Sequence, residues 1–170
     1  MSENDIKYNE ACTAYEEKDY AKAYEYFYAL ALESDVSCQV NVANMLMHGL
    51  GVEKNHERAY EWYEQAAINE DKEAQYIHGW HCIEEGNEEE GYKYLELSAE
   101  SGCLDAIYDL AGLYAGKKEM LKASVLYEQA VLLGKKDALG ALFYAKKELD
   151  GFLKALLYMM KNISNFTKHV

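Results

Sequence analysis

One short helical phrase recurs five times along the chain, and every copy begins at a small residue. Its anchors are 36, 32, 32 and 32 residues apart, at Ala23, Ala59, Gly91, Ala123 and Ala155. Bulky residues recur three and four positions after each anchor, as Trp62 and Tyr63 do in the second copy, and mostly smaller apolar residues follow at positions seven and eight. These offsets lie on one face of an α-helix, so each copy predicts an amphipathic helix whose apolar face must be covered.

A preceding helix in each copy can supply that cover. Its own small position lies twelve residues before the anchor in four copies, at Ala11, Gly79, Ala111 and the exception Phe143, and sixteen before it in the second copy, at Ala43. The second copy differs because the segment HGLGVEKN, from His48 to Asn55, makes a longer turn. Small residues on facing helices let the axes approach to about 8–10 Å. The sequence therefore predicts helix pairs at about 4–33, 36–69, 72–101, 104–133 and 136–162, with a tail over 163–170.

These positions carry a resemblance to known repeat families. The second copy resembles a Sel1-like repeat through Gly49, Gly51, Val52, Asn55, Arg58, Ala59, Trp62, Tyr63, Ala66 and Ala67. The fourth copy is similar to it through Ala106, Leu110, Ala111, Tyr114, Lys122, Ala123, Tyr127 and Ala130. The other copies have the short turn of the related tetratricopeptide repeat. The resemblance covers nearly the whole chain.

The resemblance implies both a fold and a kind of function. It implies an all-α solenoid of about five antiparallel helix pairs forming a right-handed superhelix, with residues 1–170 as a single repeat domain. Such families mostly act as interaction scaffolds, so we expect a non-enzymatic protein that binds another protein or peptide. A small secretion-type chaperone that shields an effector segment is a related alternative.

The resemblance and the helical spacing together predict a binding groove. In such a stack the first helix of each pair lines the concave surface, and the predicted lining is aromatic and almost uncharged. It consists of Tyr8, Tyr15, Asn41, Asn44, Met47, Tyr76, Trp80, Tyr108 and Tyr144. Acidic residues near one edge, Asp5, Glu73, Asp105 and Asp137, also suit helix N-termini. The competing interpretation is that the aromatic side chains form inter-repeat core, which is the usual role of aromatic stripes at helical spacing.

Charge limits the kinds of partner. The chain has 30 acidic and 17 basic residues, a formal charge of −13. This charge disfavours binding to a phosphate backbone, so no nucleic acid is expected. It would attract a segment with basic and apolar residues. The alternative is that the acidity serves solubility only.

Only one group of residues suggests chemistry. His78, His81 and Cys82 lie within the sequence HGWHC, and His78 and Cys82 share a helix face at a spacing that can hold a metal ion. No third and fourth ligands are recognisable, and buried packing is the favoured interpretation. We therefore predict no catalytic residue, no cofactor and no metal site, and keep a metal-dependent or hydrolytic enzyme using these three residues as the alternative from another class.

The two ends of the sequence predict location and self-association. The N-terminus lacks the basic start and apolar run of a secretory signal, no stretch is apolar enough for a membrane span, and the four cysteines do not form regular pairs. These features predict a cytoplasmic protein with reduced thiols.

The C-terminal segment is apolar on more than one face, which predicts either self-capping by the tail or a homodimer. The residues of this surface are Phe152, Leu156, Met160 and Phe166.

Overall fold

A computed structural model describes the backbone of residues 2–166 and the side chains of residues 2–154. All regular secondary structure in this range is helical, and the chain is an all-α solenoid. The helices are α1 (Glu3–Glu16), α2 (Tyr20–Leu32), α3 (Val36–His48), α4 (His56–Ile68), α5 (Lys72–Glu84), α6 (Glu88–Glu100), α7 (Leu104–Gly116), α8 (Met120–Leu132) and α9 (Ala138–Phe166). The chain divides into two compact units, residues 1–103 (unit 1) and 104–170 (unit 2). Within the described part, no helix combines the length and the apolar character that a membrane span requires.

The links between helices follow a regular backbone pattern. One residue in most links has a left-handed backbone, and these residues recur every 16 positions except around the longer α3–α4 turn: Lys18, Ser34, Glu70, Gly86, Gly102, Lys118 and Gly134. The next residue often caps the following helix, as the side chain of Asp35 accepts from the Cys38 N–H at 2.8 Å. A left-handed residue ends one helix and the cap begins the next, so consecutive helices within each unit fold back on each other.

The core of each pair is built around small residues at the helix crossings. Ala11 and Ala23 are fully buried where α1 meets α2, and Ala43 and Ala59 are fully buried in the α3–α4 pair. In unit 1 each helix packs on the next along the chain, and in unit 2 α8 packs on both α7 and α9. Small crossing residues and the large side chains beside them thus pack as the spacing predicts.

Buried glutamines join successive pairs of unit 1. The Gln39 amide of α3 donates to the Ala31 carbonyl at the end of α2 (3.5 Å), and Gln75 of α5 donates to the Ala67 carbonyl of α4 (3.3 Å). Gln39 also accepts from the Asn69 side chain at 3.1 Å. Satisfying carbonyls at helix C-termini removes a cost of burying them, and it fixes how one pair sits on the next.

The predicted fifth helix pair is wrong. The first eight helices lie within the first four predicted ranges, except that α1 begins one residue earlier, at Glu3. Residues 138–166, however, form one continuous helix of 29 residues. The 16-residue pattern would place a left-handed residue at Asp150, followed by Gly151 as the helix cap. Gly151 has no side chain to accept from the N–H groups of a new helix. Apolar residues also continue at three- to four-residue intervals through this point, at Leu142, Ala145, Leu149 and Phe152, which favours uninterrupted helix.

Candidate partner-binding surface

The centre of the predicted surface lies on α5 in unit 1. Tyr76 and Trp80 are one helical turn apart, and both remain half-buried. Between them on the helix, Ile77 packs against the same core cluster as Met47 of α3 does. The neighbouring α3 contributes half-buried Asn41 and Asn44. This arrangement leaves aromatic and amide side chains partly accessible on two helices whose other faces are packed.

On α1 the predicted residues pack against α2 but retain exposure. The ring of Tyr8 meets Phe27 edge-on, with centroids 6.0 Å apart, and burial raises the pKa of the Tyr8 hydroxyl. Tyr15 meets Tyr20 edge-on at 5.2 Å and is itself exposed. These rings therefore take part in packing within their own helix pair, which fixes their orientation.

Asn44 is held by a buried tyrosine. The Tyr63 hydroxyl of α4 donates to Asn44 Oδ1 at 2.8 Å, and burial raises the pKa of Tyr63 to about 12. Tyr63 stays protonated at neutral pH, so the bond persists and orients the Asn44 amide. The side-chain NH₂ of Asn44 then has a fixed direction in which a ligand could meet it.

Two residues of the predicted lining belong to unit 2. Tyr108 of α7 packs edge-on against Tyr127 at 5.8 Å, and Lys135 Nζ lies 5.3 Å from its ring centroid. Tyr144 of α9 is exposed, and it lines one cleft together with Phe152. The sequence analysis assigned Tyr144 to the groove and Phe152 to the dimer surface, whereas the structure brings them together. The other members of that dimer surface, Leu156, Met160 and Phe166, lie outside the described side chains.

Three of the four edge acids have local partners, and Glu73 makes the longest of these contacts, 3.8 Å from Lys72 Nζ. Asp5 and Ser2 cap α1 reciprocally, with Asp5 Oδ2 accepting from the Ser2 N–H at 2.6 Å. Asp105 is bonded to Lys135 Nζ at 2.7 Å. Both roles stabilise the fold, as acidic residues at helix N-termini commonly do.

The three residues of the enzyme alternative do not converge. His78 and Cys82 are buried, and His78 Nε2 lies 3.4 Å from Cys82 Sγ. His81 instead stacks on Tyr60 of α4, with centroids 3.7 Å apart and an interplanar angle of 2°. Burial raises the pKa of the Cys82 thiol, the opposite of what activates a nucleophile. Among the described residues, no group of three or more His, Cys, Asp and Glu side chains lies close enough to hold a metal ion.

Burial of His78 predicts a pH dependence of stability. Its Nδ1 atom has no hydrogen-bond partner, and burial lowers its pKa from 6.5 although Glu64 and Glu90 act in the opposite direction. The unfolded chain binds the proton more readily, so this contribution to stability is complete above pH 6.5 and is lost as the pH falls below it. Replacing His78 with Leu, the residue at the matching position 110, should therefore stabilise the protein more at pH 5 than at pH 7.5.

Urea unfolding of both proteins at these two pH values measures the effect. A buried nitrogen without a hydrogen-bond partner costs about 1–3 kcal/mol of stability. Its removal should therefore raise the free energy of unfolding at pH 7.5 as well. Parallel stability curves for the two proteins across this range would show that His78 does not titrate differently in the folded state.

An aromatic cluster that the sequence analysis did not predict lies between α2 and α4. Tyr28 stacks on Tyr24 with centroids 5.7 Å apart, and it meets Trp62 edge-on at 5.7 Å. An open pocket of about 400 Å³ beside Tyr28 and Trp62 also contains Arg58 and Glu61. The residues come from two copies at different offsets, so a position-by-position comparison of the copies could not bring them together.

Charge is unevenly divided between the two units. Residues 1–103 contain 23 acidic and 7 basic residues, a formal charge of −16, whereas residues 104–170 contain 7 acidic residues and 10 lysines, a charge of +3. The attraction for basic partners inferred from the whole chain therefore belongs to unit 1.

Helix pairs in register, with partly accessible aromatic residues on the first helices, define a helical-repeat protein of the interaction-scaffold class. The chain belongs to the Sel1 repeat family, whose model matches residues 14–35, 36–71 and 72–103, more than half of the sequence. These ranges end at Cys103, so the fourth copy lies outside them. Sel1 repeats generally mediate protein–protein interaction and typically form non-enzymatic scaffolds.

Solved structures show the same fold. A Sel1 repeat protein from Oxalobacter formigenes is similar with 25% sequence identity and a TM-score of 0.71, over 79% of this chain and 59% of that protein. The c5321 protein, a protective antigen of uropathogenic Escherichia coli with an SLR fold, shares 24% identity at a TM-score of 0.63, over 72% of this chain and 28% of that protein. MamA shares 18% identity at a TM-score of 0.56, over 89% of this chain and 86% of MamA. The chain thus spans less than two thirds of the first two proteins. No curated protein matches it in sequence.

Proposed function

We propose that the protein is a non-enzymatic scaffold whose unit 1 binds an extended or helical segment with basic and apolar residues. The segment lies on the face formed by Tyr8, Tyr15, Asn41, Asn44, Met47, Tyr76 and Trp80. The observation that carries this proposal is the half-buried state of Trp80 and Tyr76 on a unit with a formal charge of −16. Large rings that can still be desolvated by a ligand are typical binding anchors, and the acidic charge attracts a basic segment.

The related assignments remain predictions. Tyr108 and Tyr144 remain predicted binding residues of unit 2 and are not part of the unit 1 face. A homodimer through the C-terminal helix also remains a prediction, which light scattering tests. A secretion-type chaperone would use the same face to hold an unfolded effector segment. The cytoplasm remains the predicted location, and it would place Cys12, Cys38, Cys82 and Cys103, all free thiols in the structure, in a reducing environment.

Replacing both Tyr76 and Trp80 with Ala should weaken binding at least about thirtyfold, because even one anchor residue of this kind contributes roughly 2 kcal/mol or more. The measurement uses a panel of helical peptides with apolar residues on one face and Lys on the other, a scrambled panel of equal composition, and a panel with Glu in place of Lys. The full chain should prefer the first panel, and the preference should weaken at high salt.

Tyr26→Ala is the matched control, since Tyr26 is also a half-buried tyrosine but lies on α2, where Lys22 Nζ is 5.7 Å from its ring. This variant should bind as the unaltered protein does. Undiminished binding by the double variant would exclude the α5 face, and a preference for the Glu panel would contradict the proposed charge of the partner.

A further inference from the structure

An open cleft of about 720 Å³ lies in unit 2 where the end of α7 and the start of α8 meet α9. Its walls are largely apolar and include Met120, Leu121, Tyr144, Leu149 and Phe152. Leu121 and Phe152 are each 64% exposed. Sites of roughly 300–1,000 Å³ can bury most of a small ligand, so this cleft can hold several side chains of a peptide.

The same arrangement of three helices occurs in unit 1, at residue numbers lower by one hundred. Helices α1 and α2 correspond to α7 and α8, and α3 corresponds to the first part of α9. Lys18 and Lys118 both have a left-handed backbone, with φ of 64° and 62°. Cys38 and Ala138 are both fully buried. Tyr20 of unit 1 therefore occupies the position that Met120 occupies at the cleft.

In unit 1 this position is covered by the turn between α3 and α4. Leu50 and Val52 pack against the same core cluster as Tyr20 does. Between them, Gly51 passes so close to the Tyr20 carbonyl that a Cβ atom would overlap it. In unit 2, α9 continues without a turn. Unit 1 thus shows which residues this kind of cleft accepts: two aliphatic side chains on either side of a glycine.

Charge around the cleft indicates a further feature of its occupant. Lys18 and Lys22 are repeated at the cleft as Lys118 and Lys122. Glu119 and Glu148 also line the cleft, and Glu119 is paired with Lys122 at 2.8 Å. Unit 2 as a whole has a formal charge of +3, and the turn in unit 1 continues from Val52 into Glu53. An acidic residue after the second aliphatic residue would be complementary to Lys118 at the cleft and to the net charge of unit 2.

We propose that the unit 2 cleft binds a short partner segment that takes the place of the missing turn: an aliphatic residue, a glycine, a second aliphatic residue and then an acidic residue. The segment inserts its two aliphatic side chains between Met120 and Leu121 on one wall and Tyr144 and Phe152 on the other. This site is separate from the face of unit 1 assigned above. Its segment carries an acidic residue, whereas the segment proposed for unit 1 carries basic residues.

The test uses a synthetic peptide with the sequence HGLGVEKN, which is that of residues 48–55, titrated into the isotope-labelled full chain and followed by NMR. Shifts should concentrate at the cleft. A peptide with Ser in place of both Leu and Val should bind at least about tenfold more weakly, and one with Lys in place of Glu about threefold more weakly.

Leu121→Ser and Phe152→Ser should each weaken binding of the first peptide at least about fivefold, and both residues are exposed enough for the variants to fold. Leu132→Ser, at a position of α8 that is 82% exposed and outside the cleft, should not change it. Trp80→Ala should also leave it unchanged, which separates this proposal from that for unit 1. No binding by the unaltered protein, equal binding of the Ser peptide, or full binding by the cleft variants would overturn the proposal, and equal binding of the Lys peptide would overturn its acidic part.

Discussion

Replacing Gly51 with Ala should lower the free energy of unfolding by about 3–4 kcal/mol, the largest effect that we expect from a single methyl group in this protein. Gly51 has φ of 69°, a left-handed conformation that costs other residues roughly 1–2 kcal/mol. Its Cβ would also overlap the Tyr20 carbonyl and lie 2.5 Å from the Ala21 nitrogen. Backbone atoms cannot rotate away, so the whole turn must move, and overpacking of this kind adds about 1–3 kcal/mol.

Gly49→Ala is the matched control for this prediction. Gly49 has φ of 70°, but its Cβ would meet only the Lys54 Cβ at 3.2 Å and lies 3.6 Å or more from the backbone. It should therefore show the conformational cost with little of the steric cost, a loss of about 1–2 kcal/mol. Urea unfolding of the three proteins gives both values. Equal losses for the two variants would show that the close approach of the turn to α2 does not contribute.

The same turn shows what sequence reasoning could and could not supply. The segment from His48 to Asn55 is recognisable in the sequence as a longer Gly-containing turn, because it displaces the small residue of its copy from twelve to sixteen positions before the anchor. Its contact with Tyr20 was not predicted, because that contact joins one helix pair to the next. Periodicity reports which face of a helix is buried, and it says little about which neighbour buries it.

The fifth copy fails for a related reason. Its anchor and bulky residues have the correct spacing, and this spacing continues in phase with the helix before it. A hairpin and a straight helix therefore satisfy the same apolar pattern, and only the residues at the link distinguish them. In most other links a left-handed residue comes first and a residue with a capping side chain follows it. Here the residue that could cap, Asp150, comes first and Gly151 follows it. The spacing of the apolar residues carries no information about this difference.

Only part of each candidate surface can be predicted from the sequence. Residues on one helix face, such as Tyr76 and Trp80, follow from spacing alone. The orientation of Asn44 by Tyr63 and the cleft formed by Tyr144 and Phe152 depend on contacts between elements, which spacing does not specify. The opposite charges of the two units could have been counted from the sequence, but the boundary at Cys103 comes from the structure.

Restoring the repeat consensus at Gly91 should destabilise the protein. The other described anchors, Ala23, Ala59 and Ala123, are fully buried alanines, and Ala exceeds Gly by about 1 kcal/mol within a helix. At Gly91, however, the new Cβ would lie 2.5 Å from Ile83 Cγ1 and 2.7 Å from the Gly79 carbonyl oxygen. Helices α5 and α6 must separate to relieve this overlap. We expect a net loss of about 1–2 kcal/mol for Gly91→Ala, since the steric cost outweighs the gain in helix propensity.

Gly112→Ala is the control that separates helix propensity, which is stabilising, from steric overlap, which is destabilising. Gly112 is an exposed position in α7, and its Cβ would meet only the Tyr127 hydroxyl at an ordinary 3.6 Å. This variant should gain up to about 1 kcal/mol from helix propensity alone. The urea concentration at the midpoint of unfolding should therefore be lower for Gly91→Ala and higher for Gly112→Ala than for the unaltered protein. If both variants were stabilised, the glycine pair at 79 and 91 would not set the close packing of α5 on α6, and the register that positions Tyr76 and Trp80 would depend on other contacts.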